Sequence, residues 1–280
     1  MPIRLGAKVA EGGCSEVFEW EGPDKIIKLA KPNTDDEAMR REYRNTLTAW
    51  ECGLPVPRPY EWTKVEGRTG IVFEQIKGET LGDRFMGQLQ HLSDEASEEG
   101  GEDIRLTARI LYAIHSQAAS DHPLPSQKES FKQSIRYIGH LTSEEKEAVI
   151  AALDRLPAKH VICHGDPNPG NIMVKDDGEA IILDWMNAAS GNPEGDMAEY
   201  IIMIRYAVLP DDLPDEIREG FDSIREAVID IFMDEYTKLS GITYDEVHPW
   251  IAPVAARKLS ADAISEEEKG RLLQFIRQNL

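Results

Sequence analysis

The sequence has no apolar run long enough to cross a bilayer; the longest, Tyr200 to Leu209, is cut by Arg205. No membrane partner is therefore expected. No basic, apolar, small-residue leader follows Met1, so the chain reads as lacking a secretory signal. Cysteine is scarce. Cys14, Cys52 and Cys163 are widely spaced and odd in number, which excludes a disulfide framework and points to a reducing, cytoplasmic compartment. Positive charge is the other shortage: 31 Lys and Arg face 51 Asp and Glu, for a net charge of −20. Neutralising phosphates along a nucleic acid needs a basic surface, so that class of partner is excluded. An acidic field would attract a cationic ligand, and it would equally keep an ordinary soluble protein dispersed. No internal repeat is present, and oligomeric state is left open.

What is there suffices for one large or two modest domains: 280 residues, 41% of them hydrophobic. Ile3 to Ala10, Val17 to Trp20 and Lys25 to Ala30 read as short strands, the first two joined by a hairpin through Gly12 and Gly13. A helix follows. Thr34-Asp35-Asp36-Glu37 fits a capping box, and Gly53 with Pro55 ends the run. Met39, Tyr43, Thr46, Leu47 and Trp50 share one face, with Glu42 at its edge and Glu37 turned away. Tyr60 to Lys64 and Thr69 to Gln75 read as two further strands around Glu66-Gly67. Beyond residue 77 the pattern becomes helical, over Arg105 to Ser116, Ser143 to Leu156, Ile217 to Leu239 and two closing helices. Residues 94–103, acidic and glycine-containing, read as a solvated loop.

Between two apolar runs lies Cys163-His164-Gly165-Asp166-Pro167-Asn168-Pro169-Gly170-Asn171, a rigid polar loop. Thirteen residues after Asn171, the strand Ile181-Ile182-Leu183 ends on Asp184, with a turn at Asp176-Asp177-Gly178 between. Phosphoryl transfer asks a protein for positioning, metal ions across the phosphates and a carboxylate for the acceptor hydroxyl. Asp166 fits the last role. Asn171 and Asp184 offer the hard oxygens that magnesium prefers. His164 reads as a buried orienting group. Gly12 and Gly13 would let backbone N–H groups approach a polyphosphate. Lys28, between Ile27 and Leu29, would point to solvent by simple alternation; opposite Glu42 it would make the Lys–Glu pair that kinases aim at phosphates.

His164-Gly165-Asp166 with Asn171 and Ile182-Leu183-Asp184-Trp185 resembles the aminoglycoside phosphotransferase and choline kinase family over about Leu5 to Asp196. The resemblance implies an α+β, protein-kinase-like, two-lobed fold. Residues 1–77 would form a nucleotide-binding lobe of antiparallel sheet plus one helix. Residues 78–280 would form a mostly helical lobe with the catalytic loop and acceptor-binding helices. It implies an ATP-dependent kinase acting on a small-molecule hydroxyl, with Mg2+, Asp166 as base and Asn171 and Asp184 as metal ligands. Lys28 and Glu42 would place the phosphates with Gly12, Gly13 and Ser15, and the backbone over Phe73 to Ile76, Glu74 and Ile76 included, would read adenine. Asp196 would be structural support. Two departures stand out: Trp185-Met186 follows Asp184 in place of Phe-Gly, which suits the small-molecule branch, and Gly6, Gly12 and Gly13 do not make G-x-G-x-x-G.

Other readings stay open at this point. One is a kinase-like module that binds nucleotide without turnover. Another is a metal site of Cys163, His164 and Asp166, or a hydrolase using Cys163 and His164. Within the family, acceptors include aminoglycosides, choline-like alcohols, amino-acid alcohols and sugars. Glu194, Glu199, Asp230, Asp234 and Glu235 would meet a cationic acceptor, though the last three also fit solvated helix faces. Trp185 and Trp250 would either stack on the acceptor or lie in the core.

Overall fold

The computed structural model describes residues 5–90, 98–119, 122–209, 213–261 and 264–280. Contacts divide the chain into two compact units. The first is Met1–Leu81 with Gly170–Ala188, and the second is Gly82–Pro169 with Ala189–Leu280. In place of one cut at residue 77, the chain leaves the first unit, returns to it for 170–188 and leaves again.

The first unit is built on β1 (Lys8–Glu11), β2 (Ser15–Glu19), β3 (Lys25–Ala30), β4 (Pro59–Val65) and β5 (Arg68–Glu74). They form an antiparallel sheet in the order β1-β2-β3-β5-β4. Glu66 (φ 52°) and Gly67 (φ 81°) both take left-handed backbone, the geometry of a two-residue hairpin turn. One sheet face buries Trp20, Ile27, Leu29, Val65 and Val72. The other buries Ala30, Ile71 and Phe73 under Met39 of α1 (Asp36–Glu51). Asp35 caps α1 through the Ala38 N–H at 2.7 Å; Thr34, expected in that role, instead donates to the Cys14 carbonyl at 2.8 Å. Trp50, expected inward, is 42% exposed, with the Arg58 guanidinium 5.4 Å from its ring. β6 (Gly78–Thr80), β8 (Ile172–Lys175) and β9 (Ala180–Ile182) make a second sheet, β6-β8-β9.

The second unit holds α2 (Leu81–Gln90), α3 (Glu98–His115), α4 (Gln127–Tyr137) and α5 (Ser143–Arg155), then α6 (Pro193–Tyr206), α7 (Asp215–Ser240), α8 (Tyr244–Lys258) and α9 (Glu266–Gln278). β7 (Val161–Cys163) pairs antiparallel with β10 (Ala189–Gly191). α3 corrects an expectation: residues 98–103 are helical, while 94–97 lie outside the described residues. Buried Ile104, Ala108 and Leu111 carry the helical face, and the Glu102–Arg109 ion pair at 2.6 Å ties its acidic start to the next turns. α4 was not anticipated; its apolar face is only Phe131 and Ile135. No helix among the described residues is long and apolar enough to cross a membrane.

Candidate active site

In the first unit the strand pattern decides where Lys28 points. Ile27 and Leu29 enter the core beneath Trp20, so Ile26, Lys28 and Ala30 face α1. Lys28 therefore meets α1 and not solvent. Its Nζ lies 2.6 Å from Glu42 Oε1 and 3.1 Å from Asp184 Oδ2, with 12% of the side chain exposed. Burial alone would lower the ammonium's pKa, but the Glu42 and Asp184 carboxylates outweigh it and raise it. Glu42 is 1% exposed. Burial lifts its carboxyl to about 7, Lys28 pulls the other way, and Asp184 adds to the rise. Its Oε2 is buried without a hydrogen-bond partner among the described residues, and a buried unsatisfied acceptor calls for an explanation such as a catalytic role or a bound ion.

The β8–β9 hairpin brings Asn171 and Asp184 to one end. Ile172 pairs with Ile182, and the Leu183 N–H donates to the Asn171 carbonyl at 2.7 Å. Asp184 takes left-handed backbone (φ 59°, ψ 72°), sparsely populated for a residue with a Cβ. What secures the turn is Asn45, buried on α1, whose Nδ2 donates to the Trp185 carbonyl at 2.9 Å. The sequence offered little sign of Asn45, a polar residue within an otherwise amphipathic helix.

Gly12 and Gly13 occupy the open tip of the β1–β2 hairpin. Neither has positive φ, and a Cβ at either would meet no protein atom within 4 Å. Neither packing nor backbone strain therefore requires glycine there, and the tip has room for a ligand. Asn33 Nδ2 donates to the Gly13 carbonyl at 3.2 Å, and the Lys31 N–H donates to Cys14 at 2.9 Å, fixing the tip. Ser15 opens β2 and is buried. Glu74 ends β5, its carboxylate accepting from the Arg58 N–H at 3.3 Å. Ile76 lies in segment 75–77, between β5 and β6, where the Gln75 N–H donates to the Asp24 carbonyl at 2.9 Å. The first unit thus combines a lysine held by two carboxylates, two hard-oxygen side chains at one hairpin end and an uncrowded glycine tip, a donor set that fits a magnesium–polyphosphate ligand.

In the second unit His164-Gly165-Asp166 leaves β7 and turns at Gly165 (φ 77°). Asp196, on the first turn of α6, accepts from the His164 N–H at 2.6 Å and the Gly165 N–H at 3.1 Å. The Asp166 N–H donates to His164 Nδ1 at 3.3 Å, so that nitrogen carries a lone pair. Asp196 is buried, which would raise its pKa, but the hydrogen bonds from the His115 side chain and the His164 backbone help to lower it. Behind it, His115 Nε2 lies 3.2 Å from Asp196 Oδ2, and His115 Nδ1 lies 2.6 Å from the Tyr236 hydroxyl. Burial and then Asp196 hold the Tyr236 phenol protonated, and Tyr236, His115 and Asp196 form one buried hydrogen-bonded chain. His115 and Tyr236 escaped the sequence reading because both sit on apolar helix stripes.

The thiol readings lose their basis. Cys163 is buried, and burial with the Asp196 and Glu194 charges pushes its pKa well up, away from thiolate. Its atom neighbours as a ligand set are His115 and Asp196, not His164 and Asp166, and both are already hydrogen-bonded as above. Trp185 and Trp250 are buried core residues. Glu194 and Glu199, nominated for a cationic acceptor, are buried and consumed: Glu194 pairs with Lys159, and Glu199 with Arg257 at 3.2 Å and Lys258 at 3.0 Å. Asp234 pairs with Lys238 and Glu235 with Arg109, while Asp230 is exposed.

The model of the phosphotransferase enzyme family matches residues 7–232. No curated protein matches the chain by sequence. Solved structures do match by fold. An aminoglycoside-3'-phosphotransferase of type VIII aligns over 92% of this chain and 94% of its own, at 16% identity and a TM-score of 0.63. Choline kinase LicA from Streptococcus pneumoniae aligns over 99% and 94%, at 13% identity and 0.60. The aminoglycoside phosphotransferase APH(3'')-Id from Streptomyces rimosus, solved with ADP and streptomycin, aligns over 86% and 90%, at 15% identity and 0.56. The chain shares the α+β, kinase-like fold of these proteins.

Proposed function

The chain belongs to the phosphotransferase enzyme family, and on that premise we propose that it transfers the γ-phosphoryl group of ATP to a hydroxyl of a small molecule. The observation that carries the proposal is Lys28, largely enclosed and held between Glu42 and Asp184 on a strand of the sheet that also carries an uncrowded glycine tip. A part-buried lysine fixed by two carboxylates is a pre-aimed phosphate contact. Gly12, Gly13 and Ser15 receive the phosphates, and the backbone at Glu74 and Ile76 reads the adenine. Asn171 and Asp184 hold magnesium, which when bound neutralises charge on the phosphates. Asp166 orients the acceptor hydroxyl and takes its proton, on a loop whose N–H groups Asp196 fixes.

Relatives by fold, one solved with ADP and streptomycin and another a choline kinase, support nucleotide use and a small acceptor. The net charge of −20 supports a cationic amino-alcohol or aminoglycoside through long-range attraction; Glu194 and Glu199 do not add to that support, being paired within the protein. The test is a panel of amine-bearing alcohols, aminoglycosides and neutral sugars, each scored for acceptor-dependent ADP release with magnesium. Release with one amine-bearing class is expected. Tight ATP binding with no release across the panel would favour the nucleotide-binding module without turnover, and release with sugars alone would end the cationic-acceptor reading.

A further inference from the structure

The loop bearing Asp166 is tied down from a direction that its own motif does not provide. Asp196 holds the N–H groups of His164 and Gly165. The next peptide, between Gly165 and Asp166, is held at both ends. Its N–H donates to His164 Nδ1, and its carbonyl accepts from Arg257 Nη2 of α8 at 3.1 Å. Arg257 is aimed by Glu199. Its Nη1 lies 3.2 Å from Glu199 Oε2, while the other carboxylate oxygen takes Lys258 Nζ at 3.0 Å. The Glu199 side chain is 4% exposed and that of Arg257 is 17%. The guanidinium thus spans a buried carboxylate and a catalytic-loop carbonyl with separate nitrogens, which its rigid planar fork permits and a single ammonium does not. The family match ends at residue 232, so α8 lies beyond it.

We infer that Arg257, oriented by Glu199, is a positioning residue that clamps the Gly165–Asp166 peptide and so fixes where the Asp166 carboxylate stands. Gly165 has φ 77°, a conformation that glycine leaves freely. Without the clamp, the peptide loses the contact on its carbonyl, and Asp166, next in the chain, is less firmly placed. The inference rests on the reading of Asp166 as the base. The same contacts would also serve as plain glue between α6 and α8, and the test must separate the two.

Arg257→Met and Arg257→Lys are compared with the full-length protein by three measurements. Amide hydrogen exchange over residues 163–168 should speed up in Arg257→Met. Its kcat should fall roughly 10- to 100-fold, the scale of a misplaced catalytic group, with the KM for ATP within about twofold. Arg257→Lys reaches one partner only and should recover part of kcat. Unchanged exchange over 163–168 would overturn the clamp, as would wild-type kcat, or losses of kcat that track a lowered melting temperature with no rescue by lysine. If the unaltered protein transfers phosphate to no acceptor, the kinase reading fails instead, and the exchange measurement alone still decides whether the clamp exists.

Discussion

Lys28 shows how little separates a surface lysine from one enclosed between two carboxylates. Alternation along β3 fixes which residues share its side of the sheet, but only α1 lying over that side makes the position interior. The sequence supplies Lys28 and Glu42 as candidates; the 2.6 Å contact depends on a helix-to-sheet packing that no local pattern specifies. Lys28→Met should lower kcat roughly 100- to 1,000-fold, as removal of a preorganised donor does, and should lower the melting temperature, because the buried Glu42 carboxylate loses its partner. Steady-state kinetics and a thermal melt check it together. Glu42 carries the pH prediction. Its carboxyl is raised from 4.5 to about 7 by burial, so the folded state binds a proton that the unfolded state releases in that window. The stabilising contribution is present below pH 4.5 and lost as pH rises toward 7. The melting temperature of wild type relative to Glu42→Gln should therefore fall across that interval. A difference independent of pH would contradict the burial account.

Among the elements, the β8–β9 hairpin was legible in full, because Asp177-Gly178 and the flanking apolar runs encode it locally. Its anchoring was not. Asn45 reaches the Trp185 carbonyl from 140 residues earlier in the chain, and nothing around Asn45 marks that contact. Asn45→Ala removes one of two donors to the Trp185 carbonyl, the Ala188 N–H at 3.1 Å remaining, which costs about 0.5–1.5 kcal/mol. A lower urea midpoint should report it, with faster exchange over 183–188. The start of α3 was misread for a related reason: two glycines and a run of acids describe a loop locally, and the buried stripe further along the helix overrides them. His115 and Tyr236 show the limit from the other side, since a polar atom at the end of an apolar stripe cannot be told from core without its partner.

At the scale of the whole chain, the fold class and the order of the motif residues were readable, and the division of the chain was not. Residues 170–188 return to the first unit, a consequence of sheet pairing between β6 and β8 across more than 90 residues of sequence. The chain beyond the family match is also structural: Val247, Trp250, Ile251, Val254, Leu272 and Ile276 are all buried. Ending the chain after Ser240 should abolish cooperative melting of the second unit, because removing buried apolar groups on this scale far exceeds marginal stability. The central claim concerns Asp166. Asp166→Asn keeps the size of the side chain and the backbone hydrogen bonds but removes the base. ATP binding by calorimetry, set beside acceptor-dependent ADP release, tests it most directly. Affinity for ATP near wild type with transfer abolished is the predicted result; transfer at the wild-type rate would contradict it.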